Sequence, residues 1–92
     1  MTEINLDIAK NYLRIANTDE DQILQSFIDG AVIFAKHYVA NNVDFANLPQ
    51  DLLNAILDHI AFLYENRGTD NATEIPSRIV SIYKKYKKFR LF

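Results

Sequence analysis

Hydrophobic residues recur at intervals of three and four along most of this chain, and no segment sustains the alternation of period two that marks a half-buried strand. Behind Asn5, a good N-cap, Ile8, Tyr12 and Leu13 predict a helix from Leu6 to about Leu13. Residues 14–18 read as a short connector. Thr18 followed by Asp19, Glu20 and Asp21 places a capping hydroxyl and three carboxylates where a helix macrodipole favours negative charge, so a second helix is expected to start there. Ile23, Leu24, Phe27, Ile28, Ala31, Phe34, Ala35, Tyr38 and Val39 carry its rhythm for about 21 residues, a rod of roughly 32 Å. Gly30 interrupts this run at a cost of about 1 kcal/mol against alanine, and its expected use is close approach of another helix. Asn41 and Asn42 fit a C-cap, and residues 43–48 form a loop whose Val43 and Phe45 tuck against the core.

Pro49 suits the first turn of a third helix, running to residue 66 or 67, with Gly68 as its left-handed cap. Leu52, Leu53, Ile56, Leu57, Ile60, Ala61, Leu63 and Tyr64 cover more than half its circumference, which makes it the central, buried helix. Asp51, Asn54, Asp58 and Glu65 form its solvated stripe, with Phe62 set among them. After a polar loop at 69–74, Ile75-Pro76 starts a shorter fourth helix. Its Ile79, Ile82, Tyr83 and Tyr86 share one face, and Lys84, Lys85, Lys87 and Lys88 spread over the rest before Phe89-Arg90-Leu91-Phe92. The fold class is all-α: one small bundle of about four helices spanning residues 1–92, with a basic and aromatic segment from about residue 84 to 92.

Composition narrows the class further. A chain of 92 residues buries only about 60 to 65% of its unfolded surface, which argues against a large catalytic cleft. Its apolar runs stop at five residues, as in 31–35 and 60–64, and the opening lacks a basic n-region and an apolar h-region, so neither a membrane span nor a secretory signal is expected. Without cysteine there is no thiolate nucleophile, disulfide or cysteine zinc site. The net charge of −2 conceals a strong polarity. Residues 1–74 hold four basic groups against all twelve acids, a net −8, whereas 75–92 hold six basic groups and no acid. Such asymmetry calls for an acidic partner: nucleic acid, another protein, or the acidic body of an identical chain.

Catalytic chemistry finds no foothold. The two glycines make no phosphate loop, His37 and His59 have no metal-ligand spacing around them, and Ser26, Ser77 and Ser81 lack a nucleophile elbow. No catalytic, cofactor or metal site is expected. Nucleic-acid binding is a live alternative, since the basic residues with Tyr83, Tyr86 and Phe89 interleaved could hold phosphates and stack bases. Helices two and three are acidic, which does not suit a helix-turn-helix reader. The lysines could equally be the wet side of an amphipathic helix.

Three motifs in order carry a resemblance: LDIAKNYLRI at 6–15, DEDQIL at 19–24, and the 49–68 helix with Pro49, Leu52, Ala55-Ile56, Ile60-Ala61 and Leu63-Tyr64-Glu65-Asn66-Arg67-Gly68, followed by Ile75-Pro76. Together they resemble the small head-to-tail connector, or head-completion adaptor, family of long-tailed phages and prophages, over nearly the whole chain. The end departs from that pattern: the family often closes on a short aliphatic-Tyr-Arg segment, and this chain has the long run from Tyr83 to Phe92. The resemblance implies a non-enzymatic virion protein, present in the host bacterial cytoplasm before assembly. It implies a homo-oligomeric ring beneath the portal protein that extends the DNA channel and docks a tail-side head-completion protein, with DNA passing unread and no membrane involved. Acidic walls suit such a channel, because a basic lumen would hold phosphates. The candidate subunit or partner interface is Phe62, Lys84, Lys85, Lys87, Lys88, Phe89, Arg90 and Phe92, with Lys84 onward expected to order only on assembly. Tyr64, Glu65, Asn66 and Arg67 form the expected structural motif, with Tyr64 in the core and Arg67 bonding near the helix end. Phe62 is expected to meet a neighbouring subunit or to be covered by the 43–48 loop.

Overall fold

The structure, a computed structural model, describes residues 3–39, 43–66 and 75–86. Four helices follow in order: α1 Leu6–Leu13, α2 Asp21–Tyr38, α3 Gln50–Glu65 and α4 Ser77–Lys85, with no strand among the described residues. As the apolar pattern predicts, α3 is the centre, packing on all three other helices and burying Leu52, Leu53, Ala55, Ile56, Leu57, His59 and Ile60. Ala9 of α1, Leu24, Ile28, Ala31 and Ala35 of α2, and Ile79 and Tyr83 of α4 close the core around it. Val43 and Phe45 pack against that core from the connecting loop, and the Lys36 ammonium lies over the Phe45 ring.

The ends of α1 follow from local chemistry. The Asn5 side chain accepts from the Ile8 N–H at 3.0 Å, and at the other end Arg14 turns left-handed (φ 61°). Its N–H donates to Asn11 O and that of Ile15 to Lys10 O, the paired bonds that retire orphan carbonyls at a helix end, while Ile15 tucks onto the core.

Three expectations fail here. Thr18 does not cap α2: the Asn17 side chain takes the Asp19 N–H at 3.2 Å, residues 18–20 form turns, and the helix starts at Asp21 behind Glu20. At its far end α2 stops at Tyr38, because Val39 swings to extended backbone and buries its side chain, so the helix has 18 residues, about 27 Å. The expected caps at Asn41 and Asn42 and at Gly68 lie outside the described residues; α3 runs to Glu65 and Asn66 follows as its C-cap, its side-chain amide donating to Phe62 O at 2.8 Å. Gly30 is no close-approach site, since it is exposed and a Cβ there would meet no atom within 4 Å. Gly30→Ala therefore removes only backbone entropy, and it should stabilise the domain by about 1 kcal/mol in urea unfolding.

One polar pair lies inside the core. His59 is 3% exposed, and its Nδ1 sits 3.0 Å from the hydroxyl of Tyr83, itself fully buried. Phe34 meets the imidazole edge-on at 5.1 Å, and its ring also faces Tyr38 and Tyr83. Burial holds His59 below its ordinary value and pushes Tyr83 up. Native His59 thus stays neutral where the unfolded chain already binds a proton, below about pH 6.5. Stability should fall as pH drops from 7 toward 5, by up to about 1.4 kcal/mol per unit within the window between the two values. Urea titrations at pH 7, 6 and 5 check this, and His59→Phe should flatten the slope.

Candidate functional site

The stripe of α3 expected to be wet is instead where the outer helices fasten. Asp58 faces both neighbours: the Tyr12 hydroxyl of α1 donates to its Oδ1, and Arg78 Nε of α4 lies 3.8 Å from its Oδ2. Tyr12 is raised to about 12, first by that bond and then by burial. Seven residues earlier on the same stripe, Asp51 accepts from Lys85 Nζ at 2.7 Å and from the Tyr86 hydroxyl. The Lys85 and Tyr86 bonds hold Asp51 below the usual carboxylate range, and the same contacts raise Lys85 and Tyr86. Each carboxylate thus takes one tyrosine and one cation. The separation of seven residues puts both on one line two turns apart along α3. These exposed pairs fix orientation more than they add stability.

Because α1 and α4 both lean on α3 without packing on each other, a gap stays open between them. It forms a groove of about 380 Å³ whose lining includes Leu13, Ala61 and Phe62. Tyr12, Asp58 and Glu65 add a hydroxyl and two carboxylates to the lining, and Arg14 and Arg78 add two cations. The left-handed turn that ends α1 brings Arg14 to this groove. Phe62 is half-buried here, among α1 and α4 residues. Tyr12, assigned by spacing to the core face of α1, is 44% exposed, with its hydroxyl turned to Asp58.

The expected motif residues fall around the same end of α3. Tyr64 packs its ring against the core and donates its hydroxyl to Glu20 Oε1 at 2.6 Å, tying the end of α3 to the start of α2. Glu65 lies exposed on the groove, and Asn66 caps the helix. At the opposite end, α4 runs helically through Lys85, so Lys84 to Tyr86 belong to the folded body rather than to a segment that starts at Lys84. Lys84 is exposed and Lys85 is engaged by Asp51. Arg67, Lys87, Lys88, Phe89, Arg90 and Phe92 lie outside the described residues. Sequence reasoning missed the Tyr12–Asp58–Arg78 and Tyr86–Asp51–Lys85 contacts. Two carboxylates at heptad spacing on a central helix, flanked by tyrosines on its neighbours, were the available signal.

Among the described residues no group of three His, Cys, Asp or Glu side chains could hold a metal ion, and no helix is long and apolar enough to cross a membrane. The surface offers an open groove at one end of α3 and the exposed Lys84 and Lys85 at the other. No curated protein and no solved structure matches the chain. The sequence profile of the phage gp6-like head-tail connector proteins matches residues 3–89, and the 92-residue chain belongs to that family.

Proposed function

We propose that this protein assembles as a ring of identical subunits beneath the portal of a phage or prophage head, lengthens the DNA channel and docks the tail-side completion protein. The family is one of structural head-tail connectors, not of enzymes, and makes the protein a virion component that works among other head and tail proteins. The observation that carries the finer reading is the charge polarity: a net −8 over residues 1–74 against six basic groups and no acid over 75–92. Opposite charges on opposite parts of one chain favour head-to-tail contacts, which close into rings when the rotation between neighbours allows it. An acidic body also lets DNA slide, since it offers phosphates no counterion-releasing contacts. Before assembly the chain resides in the host cytoplasm. The rival use of the basic segment, binding nucleic acid, draws less from the site, because Lys85 is already engaged by Asp51.

Sedimentation velocity over a range of protein and salt concentrations tests the self-association. Closed oligomers should form at low salt, alone or with the portal, and loosen toward 0.5 M salt, where screening shortens to about 4 Å. A species that stays monomeric under every condition, portal included, contradicts the reading.

A further inference from the structure

The groove and the start of the basic segment, Lys84 to Tyr86, lie at opposite ends of α3, and this placement points to an occupant. Helix α4 begins beside Asp58, which Arg78 approaches, and ends beside Asp51, which holds Lys85 and Tyr86. It therefore runs antiparallel to α3, and Tyr86, after which residues 87–92 follow, lies at the N-terminal end of α3. Phe62 and Glu65 of the groove lie eleven and fourteen residues further along that helix, about 16 and 21 Å away. Residues 87–92 span at most about 20 Å when fully extended. To enter their own groove they would have to reverse at Tyr86 and lie stretched along the whole length of α4. Entering the groove of an adjacent copy requires no reversal.

We propose that the groove between α1 and α4 receives residues 87–92 of a neighbouring copy of the chain. The proposal rests on the ring reading and names its joint. Lys87-Lys88-Phe89-Arg90-Leu91-Phe92 carries three apolar side chains among three cations. The groove offers Leu13, Ala61 and Phe62 to apolar side chains and the exposed Glu65 carboxylate to a cation, while Asp58 is already engaged by Tyr12 and Arg78, and Arg14 is the second cation of the lining. The polar 69–74 loop offers no large apolar side chain for those three residues. Donor and acceptor surfaces at opposite ends of one subunit make a heterologous contact, which repeats around a ring and cannot satisfy itself in a two-fold dimer.

The chain contains no cysteine, so single substitutions report cleanly. Ala61→Cys protein mixed with Leu91→Cys protein under mild oxidation should give disulfide-linked mixed dimers, and a ladder when both substitutions share one chain. Glu65→Lys should lower oligomer formation at least tenfold, and Arg90→Glu in the same chain should restore part of it. Rings that form normally with no disulfide between positions 61 and 91 of the substituted chains overturn the joint and leave the ring standing. A double variant that closes within its own chain places the segment in its own groove and overturns the joint as well. Linkage of Ala61→Cys to Ala72→Cys within one chain, with none to Leu91→Cys, gives the groove to the 69–74 loop. No oligomer under any condition, portal included, overturns both readings.

Discussion

Tyr83→Ala should leave the chain unfolded or nearly so at 37 °C. The ring is fully buried and packs against Phe34, Tyr38 and His59, so its loss opens a cavity between α2, α3 and α4. Such truncations cost about 3–5 kcal/mol, a large part of the about 5–14 kcal/mol expected of a domain this size. It also strands His59, whose Nδ1 would lose its partner where water does not reach. Tyr83→Phe separates the two effects. It keeps the ring, removes the hydroxyl and should cost about 1–3 kcal/mol, the usual consequence of a buried polar group left unpaired. Adding His59→Phe to Tyr83→Phe should recover part of that loss, because neither polar partner then remains. Urea unfolding followed by far-UV circular dichroism reads all of these variants.

Removing residues 87–92 should have the opposite profile, a folded domain that no longer assembles. Among the described residues the last contacts that hold α4 are those of Lys85 and Tyr86 on Asp51, and the cut leaves them in place, so unfolding stability should change by under about 1 kcal/mol. Oligomers in sedimentation and head-to-tail joining in a packaged-head assay should be lost. If duplex DNA affinity falls while assembly is unchanged, the basic segment is a nucleic-acid device.

The split between these two outcomes mirrors what could be read from the residues. Period and burial place α1, α3 and the start of α4 within about two residues, because one buried stripe per helix is all that a bundle with a single core needs. Asn5 is legible as a cap since Ile4 and Leu6 on either side of it are not cap formers. Thr18 is not, because the Asp21 N–H that its hydroxyl would take as a cap donates to the Thr18 backbone carbonyl in a turn instead. The polar stripe of α3 shows the limit more sharply. Nothing in a helix sequence says whether a carboxylate faces water or a tyrosine from another helix, and only the tertiary arrangement brings Tyr12 to Asp58 and Tyr86 to Asp51. The groove is invisible for the same reason, being the space left where α1 and α4 fail to meet. His59 shows the same dependence on its surroundings: its burial follows from its place on the apolar face of α3, but the Tyr83 hydroxyl that makes burial tolerable comes from 24 residues away. Phe62 is marked in the sequence by its isolation among polar residues, and it stands on the groove.

The central claim is that identical copies of this chain build a ring on the portal. Electron microscopy of the full-length protein mixed with portal rings tests it most directly. The account predicts a second annulus of uniform diameter, coaxial with the portal on its tail-facing side, with its channel open. Portal rings that remain bare at saturating protein concentration, or that bind scattered single copies without closing an annulus, would contradict it.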